Sequence, residues 1–247
     1  MKYGVVLPGG APAEQVELGR LAERAGWDGV FVPELAYGVD AWTLLAAIAA
    51  GTSRVLLGTN LTPLPWRRPW KVASQVATLD AISGGRAVLG VGVGAVDPEL
   101  PDGDEATDLR TRAEMMDEGI DLIRSLWAGA GDYEGRYYRF RSRGSGSRSV
   151  PIWVVGLWPR PKSMRRVLRC DGILTQFGGE RSPDDVRAVR EWLAERDGRQ
   201  DIIVDGETRA GESVAAYAEA GATWWLETRW LNPGEIAERI AAGPPGL

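Results

Sequence analysis

The sequence predicts a (β/α)8 barrel, and three observations carry that prediction. Eight strand-then-helix units follow one another in 247 residues, the length and rhythm of such a barrel. The strands read as short continuous apolar runs, the pattern of parallel strands covered on both faces. The first strand-to-helix turn, LPGGAPAEQ, lacks the G-x-G-x-x-G fingerprint that an open dinucleotide-binding sheet would place there. No internal repeat of fixed period is visible.

The units run in order. Tyr3 to Leu7 is followed by a helix with Leu18, Leu21, Ala22 and Ala25 on one face, stopped by Gly26 as a C-terminal cap. Gly29 to Val32 precedes a helix over Trp42 to Ala50. Val55 to Thr59 and Ala87 to Val91 flank a helix from Pro69 to Ser83, which makes a βαβ unit. After these two strands come Asn60 and Pro63, then Gly92, Val93 and Gly94. Small or special-backbone residues thus gather at the carboxyl ends of strands, where parallel α/β folds bind ligands. The fourth helix, Arg112 to Trp127, carries Met116, Ile120 and Ile123 on one side. The rhythm then breaks over residues 129–150, where Tyr133, Tyr137, Tyr138 and Phe140 alternate with Gly and Arg before the tract GSGSRS; this reads as a short hairpin and a flexible loop. The remaining strands are Ile152 to Val155, Gly172 to Thr175, Ile202 to Val204 and Thr223 to Glu227, each with its helix. The expected organisation is one barrel domain over residues 1–247.

Composition narrows the function. A net charge of −5 and a pI near 5.1 argue against a nucleic-acid surface, which needs a concentrated basic face. One cysteine, Cys170, and no histidine leave no multi-cysteine metal site and remove the commonest metal ligand and general base. No metal site is expected. The longest apolar stretch, around Trp42 to Ala50, is too short to span a bilayer, and no signal-peptide core precedes the first strand. The expectation is a cytoplasmic protein that touches neither membrane nor nucleic acid.

Residues 40 to 94, DAWTLLAAIAAGTSRVLLGTNLTPLPWRRPWKVASQVATLDAISGGRAVLGVGVG, together with RAEMMDEGIDLIRSLW, PIWVVG and RCDG, resemble the luciferase-like monooxygenases. That family includes bacterial luciferase and flavin- or coenzyme F420-dependent oxidoreductases. The resemblance covers most of the chain. It implies a barrel, a homodimer, and FMN or the deazaflavin coenzyme F420 at the carboxyl ends of the strands, with F420 slightly preferred from the compact length and the loop after the fifth strand. It further implies a non-proline cis peptide at Asn60 and Leu61 against the isoalloxazine ring, faced by Val93 and Gly94. Read from the residues alone, Asn60 is an ordinary turn residue and Gly94 part of a tight turn.

A phosphate clamp is expected in Gly156, Trp158, Arg160, Ser163 and Arg165, because a helix start offers free N–H groups and Arg forks grip anions; the resemblance implies that it holds the cofactor's phosphate-bearing tail. A solvated basic face is the plainer alternative. Gly178 and Gly179 form a weaker anion-nest candidate. Relatives often carry a histidine after the second strand, where this chain has Glu34. Glu34 and Glu227, at the end of the eighth strand, are therefore the catalytic carboxylate candidates, each equally readable as a salt-bridge partner. Trp66, Trp70, Trp158 and Trp230 fall on loops or helix starts at the same face and predict an apolar or aromatic small-molecule substrate; packing against helices or a second subunit is the alternative. Trp224 and Trp225 point to opposite faces of their strand, so at most one looks into the barrel.

The function expected is an oxidoreductase that passes hydride or electrons between the reduced cofactor and a small organic substrate or oxygen. A noncatalytic flavin-binding member is the alternative. An aldolase or isomerase fits poorly, since the only lysines, Lys2, Lys71 and Lys162, lie away from strand ends facing the mouth.

Overall fold

The eight parallel strands close on themselves. In the computed structural model, which describes residues 1–94, 108–141, 146–230 and 233–246, the chain runs β1 (Lys2–Val6), α1 (Pro12–Arg24), β2 (Gly29–Val32), α2 (Ala41–Ala50), β3 (Leu56–Thr59), β4 (Thr62–Pro63), α3 (Pro69–Ser83), β5 (Ala87–Gly92), α4 (Leu109–Trp127), β6 (Tyr133–Glu134), β7 (Arg139–Phe140), β8 (Ile152–Trp158), α5 (Pro161–Val167), β9 (Gly172–Phe177), α6 (Pro183–Ala194), β10 (Asp201–Gly206), α7 (Ala215–Glu219), β11 (Trp224–Glu227) and α8 (Ile236–Ala241). β1, β2, β3, β5, β8, β9, β10 and β11 are the staves. Closure is made by Leu57 against Ala87 between β3 and β5 and by Tyr3 against Trp225 between β1 and β11. β4 adds to the top of β5, with Thr62 opposite Val91.

Helix starts follow their capping chemistry. Asp40, Asp108 and Ser182 accept from the backbone N–H three residues on, filling one orphan donor each. α1, α3, α5 and α6 begin with proline, whose missing N–H has no partner to lose there. Gly84 ends α3 at φ +72°, a left-handed conformation that glycine takes without strain.

Strand parity sorts the barrel into two cores. Val6, Phe31, Val88, Trp153, Leu174, Ile203, Trp224 and Leu226 fill the interior, while the alternate residues pack under the helices. Phe31, Trp153 and Trp224 form a three-ring plug with centroids 5.3 to 6.0 Å apart. Glycine makes room for it: a Cβ at Gly172 would sit 2.4 Å from Trp153, and one at Gly29 would sit 2.8 Å from Phe31. Burial of each such ring contributes on the order of 3 kcal/mol. Trp225, of opposite parity, tilts against Tyr217 outside the barrel at 5.3 Å, as the alternation predicts.

The expected hairpin forms from β6 and β7, with Tyr133 opposite Phe140. Glu118 on α4 accepts from the backbone N–H groups of Arg136, Tyr137 and Tyr138, and Phe140 stacks on Trp70 at 5.4 Å. Burial pushes the Tyr138 hydroxyl up to about 12. Of the tract expected to be flexible, residues 144 and 145 lie outside the described residues.

Candidate active site

Two connected cavities open at the carboxyl ends of the strands. The larger, about 520 Å³, is lined by Glu34, Asn60, Leu61, Trp66, Val93 and Gly94 among others. The smaller, about 190 Å³, reaches down to Leu174, Ile203 and Leu226 of the inner core. They share Asn60, Leu61, Val155, Gln176 and Trp230, so they form one cleft with a wide lobe and a deep lobe.

One wall is the segment leaving β3. The Asn60–Leu61 peptide is cis. Asn60 N–H donates to Val32 O at 3.0 Å, and Glu34 N–H donates to Leu61 O at 3.3 Å. The Leu61 side chain occupies the space that Gly92 leaves, since a Cβ on Gly92 would lie 2.9 Å from both Leu61 methyl carbons. The adjoining wall is Val93 and Gly94, whose carbonyls each accept from Arg112 Nη1 at 3.2 Å. Gly94 has φ +76°, and a Cβ there would meet the Trp66 ring at 2.8 Å. A glycine is thus required at this point both by conformation and by space.

The two carboxylates predicted from sequence occupy different environments. Glu34 borders the wide lobe, but its side chain is only 5% exposed. Its Oε1 accepts from Arg67 and its Oε2 from Thr62 Oγ1 at 2.7 Å. Burial in turn pulls the Arg67 guanidinium below its ordinary value. Glu227 shares its parity with Trp225 and so faces away from the lumen. It is 0% exposed and accepts from Thr208 N–H (2.8 Å), Thr208 Oγ1 (2.6 Å) and Trp225 Nε1 (3.2 Å), with Arg229 at 2.9 Å and Arg239 at 3.4 Å. The expectation of Glu227 at the barrel mouth is therefore corrected by parity. The carboxylate that does line the deep lobe is Asp205 on β10. Its inward alternation with Ile203 is the available signal, and the strand runs on past the expected Ile202 to Val204 to include it.

The residues expected to clamp a phosphate lie outside the two lobes. Gly156 faces outward, where a Cβ would meet Ile173 at 2.4 Å, and Trp158 packs edge-on against Trp192 at 6.3 Å. Ser163 Oγ accepts from Leu157 N–H at 2.9 Å. Arg160 and Arg165 are exposed and, among the described residues, make no ion pair. Their neighbour Arg166 is held in a two-pronged pair by Asp117. Gly178 and Gly179 are exposed beside open space.

Of the tryptophans expected at the mouth, Trp66 and Trp230 line the cleft. Trp70 and Trp158 do not; hairpin and helix packing claim them. Among the described residues no group of His, Cys, Asp and Glu could hold a metal ion, and no helix is long and apolar enough to cross a membrane.

The family model described as luciferase-like monooxygenase matches residues 1–242. An F420-dependent glucose-6-phosphate dehydrogenase from Beutenbergia cavernae is 38% identical over 162 residues, covering 60% of this chain and 48% of that protein. The oxygenase component of a flavin-dependent trigonelline monooxygenase from Acinetobacter baylyi is 26% identical over 260 residues, covering 94% of this chain and 72% of that protein. The chain spans about half the length of the first curated relatives it matches. Among solved structures, an F420-dependent secondary alcohol dehydrogenase in complex with an F420–acetone adduct superposes with a TM-score of 0.79 at 17% identity, covering 96% of each chain. That likeness shows the barrel fold.

Proposed function

The chain belongs to the luciferase-like monooxygenase family, and from that premise we propose that it is an oxidoreductase using coenzyme F420, with FMN the competing cofactor. The observation that carries the reading is the cleft itself, with Asn60 and Leu61 on one wall and Val93 and Gly94 on the next. A planar ring needs flat walls, and Gly92 and Gly94 let Leu61 and Trp66 pack close against the backbone that borders the wide lobe. Relatives of both kinds exist; F420 is preferred because F420-dependent proteins recur among the similar curated sequences.

When bound, such a cofactor accepts or donates a hydride equivalent. The chain's own work is to orient and to exclude water. Leu61, Val93 and Val155 supply apolar walls, and Asn60 and Gln176 supply the polar groups that fix a ligand's orientation. Arg160, at the N-cap of α5, and Arg165, in its last turn, are exposed and free to meet a phosphate-bearing tail, with Gly156, Trp158 and Ser163 shaping that loop. Glu34 is held as an ion-pair partner of Arg67, which favours a bracing role over proton donation. The reading includes one barrel domain, a small apolar or aromatic substrate, a cytoplasmic setting and a homodimer. The apolar groove along α3, with Ala77, Ala81 and the 57% exposed Ile82, supports a second copy as partner, and sedimentation of the purified protein tests that.

The deciding experiment is fluorescence titration of the protein with F420 and with FMN, followed by assay of oxidation of the reduced form. Binding of F420 with reduction or oxidation of a small substrate supports the reading. Binding without turnover points to a noncatalytic flavin-binding protein, and binding of neither overturns the reading. Arg160→Ala and Arg165→Ala should weaken FMN and F420 far more than riboflavin, which lacks the phosphate; equal losses remove the clamp.

A further inference from the structure

We propose that Asp205, held by Arg181, is the substrate-recognition residue of the deep lobe and selects a small, mainly apolar molecule carrying a hydroxyl group. Two carboxylates border the cleft among the described residues, Glu34 and Asp205. Both Glu34 oxygens are taken, by Arg67 and Thr62, and the side chain is 5% exposed. Asp205 differs. Its Oδ1 accepts from Arg181 Nη1 at 2.7 Å, its Oδ2 receives no hydrogen bond among the described residues, and its side chain is 40% exposed. The free oxygen is therefore open to a donor from whatever enters the lobe.

The surroundings define that donor. Arg181 already balances the carboxylate charge, so a cationic ligand would meet an adjacent guanidinium, whereas a neutral hydroxyl gains a charge-assisted hydrogen bond without that repulsion. Leu61, Val155, Leu174, Ile203 and Leu226 contribute apolar walls with Trp230 at the rim, and the lobe's other polar residues are Thr175, whose hydroxyl donates to Ile203 O at 2.8 Å, and Asn60 and Gln176, which border the wide lobe as well. A ligand with one hydroxyl and a hydrocarbon body matches this division, since a polar group sent to the apolar walls would lose its water without a partner.

The assignment rests on reading the cleft as the ligand site, and its test is independent of cofactor. Cyclohexanol and cyclohexyl methyl ether, which share a ring but differ in the O–H donor, are titrated into the purified protein without cofactor by ligand-observed NMR. Wild type should bind the alcohol about tenfold more tightly, the ratio expected for one hydrogen bond to a charged acceptor. Asp205→Leu should abolish the ratio. Where that variant fails to fold, Asp205→Asn serves, and its neutral acceptor should reduce the ratio to roughly threefold. Equal binding of the two probes by wild type, no binding of either, or a ratio unchanged in the variant overturns the assignment. Cofactor binding with no alcohol preference sinks this inference alone, and alcohol preference without cofactor binding sinks the redox reading alone.

Discussion

Thr62 Oγ1 donates to Glu34 Oε2 at 2.7 Å and stands 3.1 Å from Thr59 Oγ1, tying the segment after β2 to the segment that leaves β3. Asn60 and Leu61 lie between the two threonines, so this buried chain of hydroxyls and carboxylate supports one wall of the cleft. Thr62→Val keeps the shape and removes the donor, leaving a nearly buried carboxylate oxygen unsatisfied. The expected loss is about 1–3 kcal/mol of stability in urea unfolding, with weaker cofactor binding in the titration; unchanged values of both would remove the supporting role.

The two inward glycines of β5 separate stability from binding. A Cβ on Gly90 would lie 2.1 Å from the backbone oxygen of Thr59, whereas one on Gly92 would meet side chains, the methyl ends of Leu61 at 2.9 Å and a Val155 methyl at 3.2 Å. Backbone cannot yield as a side chain can. Gly90→Ala should therefore destabilise by about 3 kcal/mol or more, and Gly92→Ala by less, while displacing Leu61 into the cleft and weakening cofactor binding. Equal stabilities of the two variants would contradict the geometry.

Arg86 closes the lower end of the barrel. Its guanidinium donates to Thr52 O (2.9 Å) and Ala49 O (3.3 Å) at the end of α2, where Ala49 O also accepts from Thr52 N–H, and to Val55 O (2.8 Å) just before β3. Arg86→Ala should cost about 2 kcal/mol in chemical denaturation and leave cofactor affinity of the folded protein unchanged. A large change in affinity would mean that the lower and upper ends are coupled.

That position explains much of what the sequence made legible. In TLDAISGGR, Asp80 accepts from Ala87 N–H and Arg148, Ser83 Oγ accepts from Arg86 N–H, and Gly84 reverses the chain. These are local, closely spaced demands that leave a pattern in sequence, and they concern architecture rather than chemistry. Eight strands were readable for the same reason, because apolar runs bounded by glycine carry their own period. The site was half legible. Asn60, Leu61, Val93 and Gly94 sit directly after strands and line the cleft as placed. Glu227, Trp70 and Trp158 went elsewhere because parity at a strand end, or packing against a distant hairpin or helix, decides where a side chain points. Asp205 was missed for lack of one more residue in its strand.

Glu23 gives the stability a pH dependence. Partial burial opposes its charge, but N–H donors from Arg54, Val55 and Ser53 and the charge of Arg54 outweigh that, so its carboxyl lies below the ordinary range. A group depressed in the folded state stabilises above its unfolded value, about 4.3, and loses that contribution as the pH falls through the folded value. Glu23→Gln should therefore be less stable than wild type near neutral pH and approach it in acid. A stability gap independent of pH between 2 and 7 would exclude this carboxylate as the source.

Glu227 provides the sharpest separation of structure from catalysis. It is 0% exposed between Arg229 and Arg239, whose own side chains are 8% and 3% exposed, and burial holds the Arg239 guanidinium below its ordinary value despite the attraction of Glu227. Replacing the carboxylate takes the shared counter-charge from two buried cations, leaving Arg229 with Glu207 at 3.7 Å, a loss of about 3–5 kcal/mol. Glu227→Gln should lower Tm on the order of 10 °C, while the folded protein below that temperature keeps the pH profile of the proposed turnover. A proton donor would behave in the opposite way, with Tm nearly unchanged and one limb of the pH profile lost. Since the residue faces the helical layer and not the cleft, the first outcome is the one the geometry requires.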